Sequence, residues 1–218
     1  MAAFAWKDLV EFTPLLMQGA VITVQVFICG LIVATVLGLV WALMRVTGIP
    51  WLSGIAKGLI NTVRGIPILV QLFYIYFVLP DIGIQINAFQ AGFIGLGFAY
   101  SMYVAEVFRS GIEAVDPGQV EAAQSLGMGK MMTLWRVVLP QAFKIALPPY
   151  GNICIMLIKD TSQASIITVA ELSFQSKVIA ASTFKNAEVF TLVAIFYLIL
   201  CVPLILIVGR LEKKFGRR

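Results

Sequence analysis

The chain has 218 residues, of which 60% are hydrophobic and 12% charged, and its mean hydropathy of +0.95 excludes a soluble globular domain. It contains no histidine, and Cys29, Cys154 and Cys201 stand alone in apolar segments without CxxC spacing, so packing is their expected role and neither a metal site nor a catalytic residue is expected. The net charge of +5 reads as membrane orientation rather than nucleic-acid binding, because the basic residues do not cluster on a soluble face.

No charge occurs from Phe12 to Met44, and those 33 residues as helix reach roughly 50 Å against the ~30 Å of a hydrocarbon core. One span over 15–44 fits, preceded by an interfacial lead-in containing Trp6, Phe12 and Pro14. Lys7 followed by Asp8 and Glu11, ahead of so long an apolar run, speaks against a cleaved signal peptide. A second span over 58–80 takes in Arg64 near one end, and Gly65-Ile66-Pro67 predicts a break or bend inside it. A third, over 85–109, carries Glu106 and Arg109 at its far end. With Glu113 these are spaced i, i+3, i+7 and can pair along one face.

The polar segment 114–140 follows. Asp116-Pro117-Gly118 is a turn that opens a short helix, with Glu121 expected in the first turn, where a carboxylate meets the positive helix end. Ala122 and Ala123 keep that helix thin. Gly127 can adopt a left-handed conformation that stops it, and Met128 to Leu139 reads as a second helix halted by Pro140. The expected object is a bent helical elbow. Gly127-Met128-Gly129-Lys130-Met131 lacks the spacing and the Ser/Thr of a phosphate loop, and the rest of the chain is too small to hold an ATPase domain.

The fourth span, 145–170, is predicted to be interrupted. It is apolar only to Ile158, meets Lys159-Asp160, and resumes uncharged from Thr161. Pro148-Pro149 with Gly151 predicts a further bend at its entry. The fifth covers 188–210. Placing the elbow on the inside assigns Arg45, Lys57, Arg64, Arg109, Lys130, Arg136, Lys144, Arg210, Lys213, Lys214, Arg217 and Arg218 to that face, 12 of the 16 basic residues. Five spans then put the N-terminus outside and the C-terminus in the cytoplasm.

Glu-Ala-Ala, three residues, Gly127, nine residues, Val137, one residue and Leu139-Pro140 together resemble the EAA loop of permease subunits of ABC importers. Glu-Ala-Ala alone would read as an ordinary interfacial helix; Gly127 and Leu139-Pro140 in register carry the resemblance. It extends over nearly the whole chain and narrows to the polar-amino-acid uptake branch. The residues that carry it are Arg64-Gly65-Ile66-Pro67, Gln71-Leu72 with Tyr74 to Tyr76, Tyr103-Val104-Ala105-Glu106, Arg109-Ser110-Gly111-Ile112, Pro148-Pro149 with Gly151-Asn152, and Lys159-Asp160-Thr161-Ser162. The chain departs from the family at Ile66, where threonine is usual, and at Tyr100-Ser101, where an Asn-Ser pair is common.

The resemblance implies an all-α integral membrane protein with the type I ABC importer permease fold. Five transmembrane helices would carry a cytoplasmic coupling loop between spans 3 and 4, in a single domain 1–218. It implies that Glu121, Ala122, Ala123, Ser125, Leu126, Gly127 and Met128 dock into a groove of a separate ATPase subunit, which alone would hold ATP and Mg, so the chain itself needs no cofactor. The other implied partners are an extracytoplasmic amino-acid-binding protein, a second permease copy or paralogue, and membrane lipid. The implied setting is a bacterial inner membrane, crossed several times.

Ionisable residues at membrane depth are costly and usually face a cavity or one another. A free amino acid is a zwitterion, and Lys159 and Asp160 supply both complementary signs. Asn152, Ser101, Thr161, Ser162 and Gln163 could add neutral hydrogen bonds. The alternative reading of the pair is structural. For the chain as a whole the alternatives are an ATP-independent secondary transporter or channel, or a non-transporting membrane scaffold.

Overall fold

A computed structural model describes residues 6–215, with side chains from residue 10 onward. Arg217 and Arg218, and the side chains of Trp6, Lys7 and Asp8, lie outside the described residues. The described chain is helical, without a β-strand.

Helix α1 (Trp6–Val46) is one element of 41 residues. Pro14 lies inside it, so the segment expected as a lead-in is continuous in one helix with the apolar run; one backbone hydrogen bond is forfeited without stopping the helix. Helix α2 (Pro50–Arg64) starts on proline, where no amide donor is needed. It ends at Gly65-Ile66-Pro67, and α3 (Ile68–Phe73) leads through a π turn (Tyr74–Val78) and a 3-10 turn (Leu79–Ile82) in a segment at 99° to α2. The element predicted over 58–80 is therefore two helices at a corner, the first beginning at Pro50. Gln71 pins that corner, its Nε2 donating to the carbonyls of Val63 at 3.0 Å and Ile66 at 2.9 Å.

Helix α4 (Ala88–Glu113) opens on a reciprocal cap in which Asn87 Oδ1 accepts from the Gln90 amide and Gln90 Oε1 from the Asn87 amide. It runs four residues past the predicted end at 109. Arg109 bonds Glu106 at 2.7 Å and also pairs with Glu113, lacing the last turns together.

The α1–α4 contact forms the spine of the fold. Gly30, Ala34 and Gly38 on α1 repeat every four residues, as do Gly97, Ser101 and Ala105 on α4. A Cβ on Gly97 would lie 2.6 Å from Val33 Cβ and 2.8 Å from the Gly30 carbonyl, and one on Gly38 would lie 2.6 Å from Val104. Small residues are what allow helices in lipid to approach this closely, since water provides no driving force between them.

Helix α5 (Pro117–Ser125) and the short α6 (Lys130–Thr133) form the elbow, and a π turn (Leu134–Val138) leads into α7 (Leu139–Asp160). Pro140 does not halt the second arm. It sits in the first turn of α7, and the wider π geometry over 134–138 opens the helix where the proline ring would meet the preceding carbonyls. Pro148 and Pro149 likewise lie inside α7 without ending it. The packing of α7 against α4 and α9 (Asn186–Phe215) holds it in place; Gly151 approaches Val208 so closely that a Cβ there would fall 2.5 Å away.

The α-helix gives way at Asp160 to a 3-10 segment (Thr161–Ile167), followed by α8 (Leu172–Thr183), with a 51° bend between them. Cys154 and Cys201 are buried in the core that joins α1, α3, α4, α7 and α9. Among the described residues, three helices are long and apolar enough to cross a membrane, or up to five if each bent pair is one span.

Candidate functional site

The elbow is a closed, self-supporting device. Asp116 caps α5, its Oδ1 accepting from the Gly118 amide at 2.7 Å. The helix thus begins at Pro117, and Glu121 falls in its second turn, not its first; the side chain at the positive helix end is Asp116. At the other end Gly127 takes φ +80°, the Met128 amide donates to the Ala123 carbonyl at 3.1 Å and the Gly127 amide to that of Gln124 at 2.9 Å. This paired closure satisfies the terminal carbonyls and fixes the bend. Ser125 Oγ donates back to the Glu121 carbonyl at 2.9 Å.

Val115, Val138 and Ala142, with Ile112, Val120, Leu134 and Ile145 against them, seat the elbow on the end of α4 and the start of α7. Of the predicted docking residues only Ala123 is buried, and Met128 is half-buried. Glu121, Ala122, Ser125, Leu126 and Gly127 face outward, with Leu126 at the tip 84% exposed.

The second polar locality is the break after α7. Asp160 Oδ2 accepts a hydrogen bond from the Tyr100 hydroxyl at 2.7 Å, and Tyr100 is itself buried. Lys159 is exposed and, one residue earlier on a helix, lies about 100° around the axis from Asp160. Thr161 is buried and donates to the Ile158 carbonyl at 2.7 Å, while Ser162 and Gln163 are half-buried on the 3-10 turn. Ser165 Oγ donates to the Ser162 carbonyl at 2.7 Å and accepts from Lys177 Nζ at 2.9 Å. Tyr76, on the π turn after α3, reaches Thr168 across the break at 3.5 Å.

Asp160, Thr161, Ser162 and Gln163 are therefore gathered on one short stretch beside Tyr100. Asn152 and Ser101 are placed elsewhere. Asn152 Nδ2 donates to Glu212 of α9 at 3.2 Å, eight residues or about 12 Å of helix before Asp160. Ser101 is fully buried at the α1–α4 contact, where its carbonyl would lie 3.0 Å from a Cβ on Gly38.

Two residues at this end of the molecule escaped sequence reasoning. Tyr100 stands where the sequence departs from the pattern that it otherwise resembles, which was the available signal. Glu171 is fully buried, and as the cap of α8 it accepts from the Phe174 amide at 2.8 Å, from the Tyr197 hydroxyl at 3.1 Å and from Thr23 Oγ1 at 3.4 Å. It thereby ties α1, α8 and α9 together. Its signal was an acid standing alone after ten uncharged residues.

Residues 12–217 match the family described as binding-protein-dependent transport system inner membrane component. The chain is 39% identical over 193 residues to "Probable amino-acid ABC transporter permease protein y4tG" of Sinorhizobium fredii, covering 88% of this chain and 84% of that one. It is 36% identical to the glutamine transport system permease protein GlnP of Escherichia coli, with 97% of each chain covered. Its structure superposes on the crystal structure of an amino acid ABC transporter with histidines at a TM-score of 0.90 and 36% identity, covering 96% of this chain and 98% of that one. The MetNI methionine ABC transporter in an inward-facing form shares the fold at a TM-score of 0.74 and 20% identity, covering 93% of this chain and 97% of that one. With the match running from α1 to the C-terminal residues, the chain belongs to the family of binding-protein-dependent transport system inner membrane components, the permeases of ABC importers.

Proposed function

We propose that this chain forms half of a translocation path for a polar amino acid and is driven by ATP hydrolysed on a separate subunit that grips the 121–140 elbow. The observation that carries this reading is the elbow's construction. Both ends of α5 are capped by its own chain, its inner face is seated on α4 and α7, and Leu126 projects from its tip. Exposed apolar side chains on a rigid support serve as a knob for a partner's groove. Force applied there passes directly into α7, and α7 ends at Asp160.

The elbow and 12 of the basic residues then share the cytoplasmic face, with the N-terminus outside. ATP and Mg stay with the partner, and two permease copies or paralogues enclose the path, since one chain supplies only part of a wall. An extracytoplasmic binding protein delivers the amino acid. Nucleotide binding biases a two-state change that the elbow transmits. Around the path, Asp160 and Lys159 offer opposite charges to a zwitterion, with Thr161, Ser162 and Gln163 as neutral partners; Asn152, bonded to Glu212, and Ser101, buried between α1 and α4, take no part. Glutamine and related polar amino acids, as in the names of the relatives, are the substrate class.

Gly127→Asp is the test. With φ +80° and no atom within 4 Å of an added Cβ, the substitution adds charge and a less favourable backbone state at the bend without a clash. Co-purification of the ATPase is expected to fall, or its hydrolysis to stop responding to loaded binding protein. Unchanged assembly together with unchanged stimulation overturns the docking role.

A further inference from the structure

Helix α2 presents three distinct faces. Ala56, Ile60 and Val63 are buried, and Ile60 and Val63 pack with Trp41, Met102 and Ala105 of α1 and α4. Trp51 and Ile55, one turn apart, are 67% and 57% exposed. Lys57, Asn61 and Arg64 follow the i, i+4, i+7 rule along a third face, and all three are exposed. The segment Ile68–Ile82 meets α2 at 99°, so if that segment rises through the bilayer, α2 lies in its plane. A helix in that attitude, with tryptophan on one side and cations on another, matches the headgroup boundary.

The charge balance at this corner is unequal. Arg45 ends α1 and Arg64 ends α2, with the Arg64 guanidinium 5.0 Å from the centre of the Tyr103 ring. Arg45 and Arg64 both act electrostatically on Glu106. Glu106 and Glu113, however, are each bonded to Arg109, whose ion pairs are those found among the described residues. Arg45, Lys57 and Arg64 take part in none of those ion pairs, so the surplus at this corner is positive. A surface that is apolar on one side and unneutralised on the next is complementary to a phospholipid that carries net negative charge.

We propose that α2 is an in-plane membrane helix that binds the headgroup phosphates of anionic phospholipids through Lys57 and Arg64, with Arg45 beside them, while Trp51 and Ile55 enter the acyl region. Assignment to the inner leaflet rests on the orientation proposed above; the lipid selectivity does not. Bound lipid would brace the corner at Gly65-Ile66-Pro67, where α2 hands over to α3.

The experiment places the full chain in mixed phosphatidylcholine and phosphatidylglycerol vesicles and compares the motionally restricted fractions of spin-labelled forms of the two lipids. Phosphatidylglycerol is expected to be held preferentially. Lys57→Gln should cut that preference about fivefold, and Lys57→Gln with Arg64→Gln should cut it by a further factor of about five. Lys144→Gln, which removes an exposed cation on α7, should leave it at the wild-type level. Lys57 has an exposed side chain, so its single variant reads binding even if the double variant folds poorly. Equal restriction of both lipids, or a preference untouched by Lys57→Gln, overturns the proposal. Displacement of the labelled phosphatidylglycerol by inorganic phosphate overturns it in favour of a free-anion site. No ATPase or amino acid enters the measurement, so its failure and a failure of the transport reading are separately visible.

Discussion

A phenol within 2.7 Å of a carboxylate at the end of an interrupted helix makes Tyr100 the residue that decides which way Asp160 points. The bond is buried on the tyrosine side, and a hydrogen bond to a charged acceptor contributes about 2 kcal/mol. Tyr100→Phe keeps the ring and its packing while removing the donor. The variant is expected to lose about 2 kcal/mol of unfolding free energy and to raise KM for uptake, as checked by denaturant titration in detergent and by uptake kinetics in reconstituted vesicles. Unaltered stability would mean that Asp160 does not depend on Tyr100. Neither Tyr100 nor Glu171 was legible as a polar anchor, because the partner of each lies 60 residues away for Tyr100 and 148 for the Thr23–Glu171 pair.

Among the elements, the close approach of α1 and α4 is the one on which the others hang. Gly97→Val would place carbon atoms where Val33 Cβ and the Gly30 carbonyl already stand at 2.6 and 2.8 Å, and overpacking of this kind costs about 1–3 kcal/mol. Its thermal unfolding midpoint in detergent is expected to fall. Gly54→Ala is the contrasting case, since no atom lies within 4 Å of the added Cβ and helix propensity rises; a stabilisation of about 0.5–1 kcal/mol is expected in the same assay. The four-residue repeat of small side chains was present in the sequence on both helices. What could not be read there was that the two stripes face one another. Prolines taught the same lesson in reverse: Pro67 marks a true corner, whereas Pro140, Pro148 and Pro149 are carried within helical structure by a π turn and by packing.

For the whole molecule, the elbow and the polar break lie at opposite ends of α7, and the proposed function requires them to act together. Lys159→Ala and Asp160→Ala are each expected to lower the uptake rate at least tenfold while leaving ATPase co-purification intact, since neither touches the elbow. Uptake of a labelled polar amino acid into vesicles, alongside a pull-down of the ATPase, checks both halves. Wild-type rate and substrate dependence in both variants would make the pair purely structural. Lys159 is exposed on this chain, and under the proposed function a second permease subunit covers that face.

Composition and pattern alone determined that the chain is an all-helical membrane protein, where its apolar runs lie, that the fourth run is interrupted at Lys159-Asp160, and that a glycine-bent elbow stands between two of them. These features follow from local rules: hydropathy over a helix length, charge placement, and the freedom of glycine at φ +80°. Only the tertiary structure decided that 58–80 turns a corner, that Pro140 begins a helix rather than ending one, that Asp160 is held by Tyr100, and that Asn152 and Ser101 are directed away from it. Those outcomes depend on which side chain arrives from a distant helix, and interaction energies across such distances leave no local period in the sequence.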